Sequence, residues 1–498
     1  MNEENVKKEL TYMKHLIQKF DTFKEKTILV IGDIMLDEYV SGAVTRINPE
    51  APVPVVNLKN YKYTLGGASN LAFNIKTLTG KAYLSGIIGN DEPGMKLIEK
   101  LKSENINSEG VLISNERPTT TKRRIVGNEK ILVRIDDEIT DPINIQEENK
   151  IISFINKNLS KFDGVILSDY LKGTLTKNLI QKIIKILKEN KKLILADTKS
   201  KDLDIFKGIN ILMPNKLEAE NASGIKIQDE KSLIEAGIKI INNLQLDFII
   251  IKLSNEGMTL IEPNGKFYHF KDVSTKVIDV SGAGDTAISS LALSLTSGMK
   301  RFDAVNIANI AASVVVEKMG TATVTLEELK LRIYNRSISY INKIKTLDEL
   351  KIIIEDLKKL GKKIVFTNGC FDILHVGHIR YFHDSKALGD YLVVGLNSDS
   401  SVRTLKGEKR PIVPEEERAE MLSAIASIDY IVIFPELTPI NVIETLKPHI
   451  QTKGNSYSIE KMPEAEIVKK YGGKIVLIKE TKGRSTTIIV EKILKNYA

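Results

Sequence analysis

Cysteine is almost absent from this sequence, which holds a single one, Cys370, among 498 residues. One cysteine excludes an internal disulfide and is typical of proteins of a reducing compartment. Long hydrophobic runs are absent too, since no stretch approaches the roughly 18 apolar residues of a membrane span. The N-terminal residues 1–4 are acidic and lack the apolar core of a signal peptide. These absences predict a cytoplasmic protein that has no membrane partner.

Basic runs interleaved with aromatic residues are also missing, although the chain has a net charge of +8 and a pI near 9.0. The lysines are scattered along amphipathic segments, so nucleic acid is not predicted as a partner. Anionic phosphorylated substrates explain a mild positive balance equally well.

The length exceeds that of one ordinary core and favours two or three domains. Short β-branched runs alternate with amphipathic stretches, which predicts an α/β fold with parallel sheets wrapped by helices. Residues 40–63 and 115–137 instead show extended, alternating segments and predict a small β lid. A second βα series opens with the charged helical pattern at 347–360. We predict one domain over 1–335, a linker over 336–345 and a second domain over 346–498.

Runs of β-branched and other apolar residues identify nine strand candidates. They are Thr27–Ile31, Gly164–Leu167, Leu193–Ala196, Ile209–Met213, Phe248–Lys252, Ile364–Asn368, Tyr391–Leu396, Tyr430–Phe434 and Lys474–Ile478. Helical spacing of apolar residues marks Lys177–Glu189, Ser232–Leu244, Thr286–Leu295 and Ala304–Lys318.

A turn of small residues at 279–286 carries the first chemical signal. Gly282, Ala283 and Gly284 can adopt turn conformations closed to larger residues, and a helix from about Asp285 would direct its N-terminal amides at the turn. Such an anion hole suits a phosphoryl group in transfer. Asp285 can accept the proton of an attacking hydroxyl. The alternative is an ordinary helix start that has Asp285 as a capping residue.

This turn resembles the signature of the ribokinase-type carbohydrate kinases, and four further motifs stand in that family's order. The resemblance implies sugar binding by Asp33 or Asp37 and by the G-G-x-x-N motif Gly66, Gly67 and Asn70. It implies nucleotide contacts at Asn215, Ser254 and Gly257, and a Glu218 that organises Mg²⁺ indirectly. The chain departs from the family's T-x-G-x-x-G at 252–257, because the first glycine is replaced by Ser254.

Basic residues in the predicted lid point to a substrate that already carries a phosphate. Arg123 and Arg124 are adjacent, so strand alternation lets at most one of them face the site, and we predict that this residue is Arg124. Asn48 belongs to the other lid segment. Asp169 and Lys172 follow a predicted strand, at the end where open α/β sheets bind ligands. The alternatives are an exposed basic strand and a capped turn.

The second chemical signal is a pair of histidines, His375 and His378, three residues apart around Gly377. Near the first turn of a helix, both imidazoles could stabilise charge on a leaving pyrophosphate. Two surface histidines are the ordinary alternative. Zinc is a poor reading, because a clear third ligand is lacking and Cys370 alone is insufficient. Cys370 is better read as a small buried residue than as a nucleophile.

The segment G-C-F-D-x-L-H-x-G-H resembles the H-x-G-H nucleotidyltransferase family, and the resemblance implies nucleotide and phosphate contacts throughout the second domain. The implied residues are Asn368, Gly369, Cys370, Phe371, Asp372, Gly377, Asn397, Asp399, Lys406, Arg410, Lys453, Ser485, Thr486 and Thr487. Ser456 is a departure, because related enzymes carry K-G-x-D-Y where this chain has K-G-N-S-Y.

Taken together, residues 20–495 resemble the bifunctional heptose enzymes of lipopolysaccharide-core precursor synthesis. The resemblance implies C1 phosphorylation of D-glycero-β-D-manno-heptose 7-phosphate, and adenylyl transfer from ATP to heptose 1-phosphate giving ADP-heptose and pyrophosphate. It implies ATP and Mg²⁺ in both halves and a homodimer formed through the lid strands. A pair acting on another phosphosugar or with CTP stays open, as does a non-enzymatic nucleotide-binding regulator.

Overall fold

The computed structural model describes residues 16–128, 130–272, 274, 276–336, 343–479, 489–490, 492 and 495–496. The chain forms two compact units, Met1–Leu329 and Lys330–Ala498. Each unit has its own sheet and its own hydrophobic core.

The first unit is built on a nine-stranded sheet with the order β13-β12-β11-β10-β9-β8-β1-β4-β5. Its strands pair in parallel, except that β12 and β13 add an antiparallel edge. The strands are β1 (Thr27–Gly32), β4 (Lys81–Gly89), β5 (Asn107–Ser114), β8 (Gly164–Asp169), β9 (Leu193–Thr198), β10 (Ile211–Leu212), β11 (Phe248–Lys252), β12 (Met258–Ile261) and β13 (Phe267–Phe270). β1 and β8 are buried along their whole length, because helices cover both faces of the sheet.

Helices of the first unit pack their apolar stripes on this sheet. In Lys177–Glu189, for example, Leu179, Ile183 and Leu187 are fully buried at helical spacing. The helices of this unit are Ala68–Thr77, Glu92–Ser103, Ile145–Asn158, Lys177–Glu189, Lys216–Ser223, Glu230–Leu244, Ala283–Thr296 and Arg301–Val315; Leu326–Arg336 crosses from the first unit into the second.

A separate four-stranded sheet forms the lid, as the two alternating segments predicted. Its order is β3-β2-β6-β7. The strands are β2 (Ile34–Ile47), β3 (Pro54–Gly67), β6 (Thr121–Gly127) and β7 (Lys130–Asp137). β2 follows β1 after a single residue, Asp33, so the lid is attached at the carboxyl end of the main sheet, where the predicted site residues cluster.

The second unit has a five-stranded, fully parallel sheet with the order β16-β15-β14-β17-β18. The strands are β14 (Ile364–Gly369), β15 (Tyr391–Asn397), β16 (Tyr430–Phe434), β17 (Ile450–Gly454) and β18 (Lys474–Ile478). The helices are Leu347–Lys359, Val376–Lys386, Asp399–Lys406, Glu415–Ser423, Ile440–Leu446 and Ala465–Lys470. Strand order reverses at β14, and ligands of such sheets bind at the carboxyl ends beside this reversal.

All nine strand candidates coincide with observed strands, but Ile209–Met213 is reduced to Ile211–Leu212. The strand ends early because Pro214 follows and has no amide to donate. Five observed strands, β4, β5, β12, β13 and β17, were missed. In β17, Gln451, Thr452 and Lys453 interrupt the apolar pattern. Among the described residues, no helix is long and apolar enough to cross a bilayer.

Candidate active sites

Asp285 lies at the centre of the first site, in the first turn of the helix Ala283–Thr296. Asn70 Nδ2 donates to Asp285 Oδ2 at 2.6 Å, and the Tyr170 hydroxyl donates to Asp285 Oδ1 at 2.9 Å. Gly282 precedes the helix with φ +82°, and in the described part of the chain no side chain caps it. The turn, the helix start and the buried carboxylate therefore lie together.

The carboxyl of Asp285 has a pKa of about 6, well above its usual value. Burial is the main cause, and the nearby carboxylate of Asp197 adds to it. The hydrogen bonds from Asn70 and Tyr170 and the charge of Lys252 oppose the shift. A carboxylate with this pKa is mostly deprotonated at neutral pH and still basic enough to take a proton from a hydroxyl.

Two of the predicted glycines make room for site carboxylates and backbone. A Cβ on Gly66 would lie 2.7 Å from Asp37 Oδ2, and one on Gly67 would lie 2.4 Å from the carbonyl oxygen of Asp33. Gly67 also has φ +53°, a conformation that favours glycine. The G-G-x-x-N motif thus sets Asn70 on the helix Ala68–Thr77 against Asp285.

Two predicted sugar-binding carboxylates have their oxygens engaged by the protein. The Asp33 side chain accepts the backbone N–H groups of Tyr170, Lys172 and Thr174. Asp169 accepts the backbone N–H of Leu171 and the hydroxyl of Thr198, and burial raises its pKa. Both residues fix the 170–174 loop, and so position Tyr170.

The predicted nucleotide residues lie at the ends of β10 and β11. Asn215 and Glu218 form a reciprocal capping box at the start of Lys216–Ser223, and Glu218 Oε1 also pairs with Lys199 Nζ at 2.6 Å. Ser254 has φ +54°, so it keeps the left-handed turn that a glycine would form there. A Cβ on Gly257 would lie 2.0 Å from the Phe270 carbonyl oxygen, which requires glycine.

The lid arginines lie on opposite faces of β6, as alternation predicted. Arg124 Nη1 donates to Asp37 Oδ1 at 2.6 Å, while the half-exposed Arg123 pairs with Glu38. Lys122 shares the face of Arg124, and its ammonium lies 5.5 Å from the centre of the Tyr170 ring. Burial and the charge of Lys172 help to lower the pKa of Lys122, although Asp37 opposes them.

Lys172 and Asn48 have local partners. Lys172 Nζ donates to Glu138 Oε1 at 2.6 Å. Asn48 lies in the turn between β2 and β3, where its side chain accepts the Glu50 N–H and its own N–H donates to the Val53 carbonyl. A sugar contact by Asn48 stays a prediction.

The sequence reasoning missed four site residues: Tyr170, Asp197, Lys199 and Lys252. Lys252 Nζ lies 2.9 Å from Asp197 Oδ1. Asp197 is the fifth residue of β9, and it pairs in register with Ser168 of β8. Position at the carboxyl end of a parallel strand was the signal that could have found Asp197 and Lys252.

A magnesium ion would have to share its ligands with the nucleotide. In the described part of the chain, no group of three His, Cys, Asp or Glu side chains could hold a metal. Mg²⁺ commonly binds through one or two carboxylates plus substrate phosphates and waters. An ion that arrives bound to the phosphates needs no preformed set of three carboxylates, and the role of Glu218 in organising it indirectly stays a prediction.

The second site is built around the two histidines. His375 precedes the helix Val376–Lys386, and Gly377 and His378 lie in its first turn. The two rings stack with centroids 3.9 Å apart and planes 14° from parallel. Burial and His375 lower the pKa of His378 to about 4, so His378 is neutral at pH 7. Its Nδ1 is buried and has no hydrogen-bond partner among the described residues.

Neighbouring residues at the end of β14 shape this pocket. Asn368 Oδ1 is also buried without a partner in the described part of the chain. A Cβ on Gly369 would lie 3.0 Å from the Phe371 ring, which in turn packs edge-on against His378. Burial raises the pKa of the Cys370 thiol, in keeping with a packing role. The amides of the helix start suit a phosphate group. Asn368 Oδ1 is an acceptor, so it suits a donor group elsewhere on the ligand.

A buried arginine, Arg418, was missed by the sequence reasoning and holds the loops of this site together. It is fully buried, and it donates to the carbonyl oxygens of Cys370, Asn397 and Val413 and to the side chain of Asp399. Its only sequence signal was a basic residue inside an otherwise acidic helix, Glu415–Ser423.

The basic loop at 406–411 is anchored to the G-C-F-D segment. Arg410 pairs with Asp372, whose other oxygen accepts the N–H groups of Ile412 and Val413. Lys406 is the exposed last residue of the helix Asp399–Lys406. Asp372 and Arg410 therefore shape the loop, and phosphate contacts by them and by Lys406 stay predictions.

Lys453, at the end of β17, is largely buried, and burial lowers its pKa. Its ammonium lies 3.5 Å from Glu464 Oε1, which also accepts from the Gln451 amide. This chain has Ser456 where the K-G-x-D-Y motif has its acid. Glu464 nevertheless places a buried carboxylate beside Lys453. Ser485, Thr486 and Thr487 lie outside the described residues.

Comparison with solved structures shows the fold of the first unit. Phosphofructokinase-2 of Escherichia coli, in complex with substrates and products, aligns over 63% of this chain and 100% of its own, with a TM-score of 0.53 and 16% identity. Ribokinase of Arabidopsis thaliana, complexed with ribose and ATP, aligns over 63% and 99%, with a TM-score of 0.51 and 18% identity. The first unit is ribokinase-like.

Family models and related proteins agree on which two domains the chain contains. The pfkB family carbohydrate kinase model matches residues 25–329, and the cytidylyltransferase-like model matches residues 366–492. The bifunctional protein HldE of Geobacter metallireducens is 43% identical over 97% of this chain and 99% of its own length. That of Geobacter sulfurreducens is 41% identical over 94% and 96%. The chain therefore belongs to the bifunctional HldE family, with a carbohydrate kinase in its first half and a nucleotidyltransferase in its second.

Proposed function

We propose that the first unit transfers the γ-phosphoryl group of ATP to the anomeric hydroxyl of D-glycero-β-D-manno-heptose 7-phosphate. The buried Asp285, held by Asn70 and Tyr170 at a helix start that no described side chain caps, is the observation that carries the kinase proposal. Asp285 takes the hydroxyl proton, and the amides of the first turn stabilise the charge on the phosphoryl group.

Basic residues on one face of the lid strand β6 favour a substrate that already bears a phosphate. Arg124 and Lys122 lie on one face of β6, and the charge of Lys172 is close enough to lower the pKa of Lys122. Positive charges that lie together on a partly buried face repel one another, and a dianionic ligand bound between them offsets this repulsion. We assign this face to the 7-phosphate of the sugar.

The second unit, in the same proposal, joins heptose 1-phosphate to the adenylyl group of ATP and releases pyrophosphate. The acceptor phosphate attacks the α-phosphorus in line, so no covalent intermediate with the protein is required. Neutral His378 donates an N–H to a phosphate oxygen, and its buried Nδ1, which has no partner among the described residues, supports this role. A separate phosphatase must remove the 7-phosphate between the two reactions.

Magnesium belongs to the proposal for both units, as the ion that neutralises the phosphates of ATP. We also propose a cytoplasmic location, where ATP and phosphosugars are available.

A homodimer through the lid completes the proposal. β7 is an edge strand with every residue exposed, and its apolar members Ile131 and Ile135 are 60% and 47% exposed. A long apolar edge strand pairs readily with another strand.

Product analysis by mass spectrometry tests the proposed substrates. We expect heptose 7-phosphate with ATP and Mg²⁺ to give the 1,7-bisphosphate, and heptose 1-phosphate with ATP to give ADP-heptose. Hexose 6-phosphates and CTP serve as competitors in parallel reactions. A product that forms with CTP and not with ATP would overturn the adenylyl assignment, and preferred phosphorylation of a hexose phosphate would overturn the heptose assignment.

A further inference from the structure

Lys252 occupies a position in the first site that the resemblance assigns to no cation. It is the last residue of β11 and pairs in parallel with Asn215, at the carboxyl end of the nine-stranded sheet. Its side chain is only 16% exposed, and its ammonium lies 2.9 Å from Asp197 Oδ1. In the pattern T-x-G-x-x-G this position is a threonine, so this chain has an ammonium group where the pattern has a hydroxyl.

The ammonium of Lys252 lies directly against the small-residue turn. A Cβ on Gly284 would be 3.4 Å from Lys252 Nζ, and, apart from the helix's own backbone and the neighbours of Gly284 in the chain, no other described atom lies within 4 Å of that point. Gly284 therefore leaves the space between the turn and the ammonium open. A phosphoryl group received by the first-turn amides of Ala283–Thr296 would enter this space and meet the ammonium.

The surroundings of Lys252 fit a cation held ready for an anion. Asp197 is the carboxylate that pairs with it, and Asp285 is close enough for the charge of Lys252 to oppose the rise in its pKa. Lys199, the next cation, is itself paired with Glu218. Lys252 is thus oriented by one carboxylate, Asp197, and among the described residues that is the hydrogen bond its ammonium makes, which leaves donors for a ligand.

We propose that Lys252 is a catalytic residue of the kinase that binds the γ-phosphoryl group of ATP during its transfer. The proposal rests on the kinase activity proposed above. The bond from the γ-phosphorus to the oxygen of ADP breaks as the bond to the sugar oxygen forms, and the hydroxyl proton passes to Asp285. Lys252 takes no part in the proton transfer and contributes only charge and a hydrogen bond.

Substitution of Lys252 in the full-length chain tests the proposal. We expect Lys252→Met to lower the kinase kcat by about 10²–10³-fold, which is the usual effect of removing one donor to a transition-state charge. The KM for the sugar should change much less. Lys252→Arg keeps the charge, so its kinase kcat should be at least tenfold higher than that of Lys252→Met. The acid limb of the pH–rate profile should move to higher pH in Lys252→Met, because Asp285 loses a neighbouring positive charge.

Two controls separate this role from a structural ion pair. Lys26→Met removes a lysine that pairs with Asp163 at the opposite end of the sheet, and it should leave kinase kcat unchanged. The nucleotidyltransferase activity of the same preparation reports that the chain is folded. A kcat for Lys252→Met within threefold of the unsubstituted chain, with an unmoved acid limb, would overturn the proposal.

The substrate question stays separate from this test. If the unsubstituted chain phosphorylates a different phosphosugar, the heptose proposal fails, and the Lys252 comparison is made on that sugar with the same expected losses. If it phosphorylates no sugar, the kinase proposal and the role of Lys252 fall together.

Discussion

At the scale of single residues, the first site depends on one carboxylate whose two oxygens accept different donors. Asn70 and Tyr170 hold Asp285 in place, and burial raises its pKa to about 6. Burial also raises the pKa of the Tyr170 hydroxyl, so Tyr170 remains a donor across the physiological range. The base and its orientation therefore come from three elements far apart in sequence.

The pKa of Asp285 predicts how kinase activity varies with pH. The base works only when deprotonated, so the rate should be level well above pH 6 and fall about tenfold per unit below it. The kcat/KM of the kinase between pH 4.5 and 8.5 checks this, with the transferase rate as the parallel control. A flat profile down to pH 5 would contradict the assignment of Asp285 as the base.

Tyr170→Phe should move that acid limb to higher pH, because the Tyr170 hydrogen bond holds the pKa of Asp285 down and its removal raises that pKa. A hydrogen bond to a charged group is worth about 1.5–3 kcal/mol, so we expect the rate at pH 6 to fall about tenfold. Tyr268→Phe, on β13, is the matched control. An unchanged limb in Tyr170→Phe would show that the hydroxyl does not tune the base.

At the scale of elements, both sites lie where strand ends meet the start of a helix. The helix Ala283–Thr296 supplies its first turn to the kinase, and Val376–Lys386 supplies its first turn to the transferase. In the second unit, Arg418 ties the ends of β14 and β15 to the loop at 413. One side chain thereby sets the spacing of three segments.

Arg418→Met should destabilise the second unit by about 3–5 kcal/mol, because buried acceptors would be left without a donor. Urea denaturation followed by transferase activity measures this, while kinase activity in the same sample should persist. Arg403→Met, at an exposed position of the helix Asp399–Lys406, is the control and should be nearly neutral. Equal stability of the two variants would contradict the bridging role of Arg418.

The sequence predicted these elements well and their cross-chain contacts poorly. Strand and helix positions follow from local periodicity, so β11 and β16 were predicted to the residue. The Asp285–Tyr170 hydrogen bond joins residues 115 positions apart, and Arg418 contacts Cys370, Asn397 and Asp399 across 48, 21 and 19 positions. No local pattern predicts such contacts. The motif glycines were identified from the sequence. The steric reason for a glycine, such as the Asp37 oxygen beside Gly66, could be seen only in the fold.

At the scale of the whole molecule, the lid edge predicts how copies associate. Ile131→Lys on β7 places a charge on the exposed apolar edge and should shift a dimer towards monomer by at least tenfold in dissociation constant. Ile352→Lys, at a 48% exposed position on the helix Leu347–Lys359 of the second unit, is the control. Light scattering after size exclusion checks the mass. A monomeric unsubstituted chain, or a dimer that resists Ile131→Lys, would contradict the lid interface.

Central to the proposed function is that one chain performs both the phosphorylation and the adenylyl transfer, each with its own catalytic groups. The most direct measurement assays both half-reactions in the same preparations of Asp285→Asn and His378→Ala. We predict that Asp285→Asn loses at least about 10³-fold in phosphorylation of heptose 7-phosphate and keeps full transfer of AMP to heptose 1-phosphate. His378→Ala should show the reverse pattern. Loss of both activities in either variant, with the chain still folded, would contradict two independent sites.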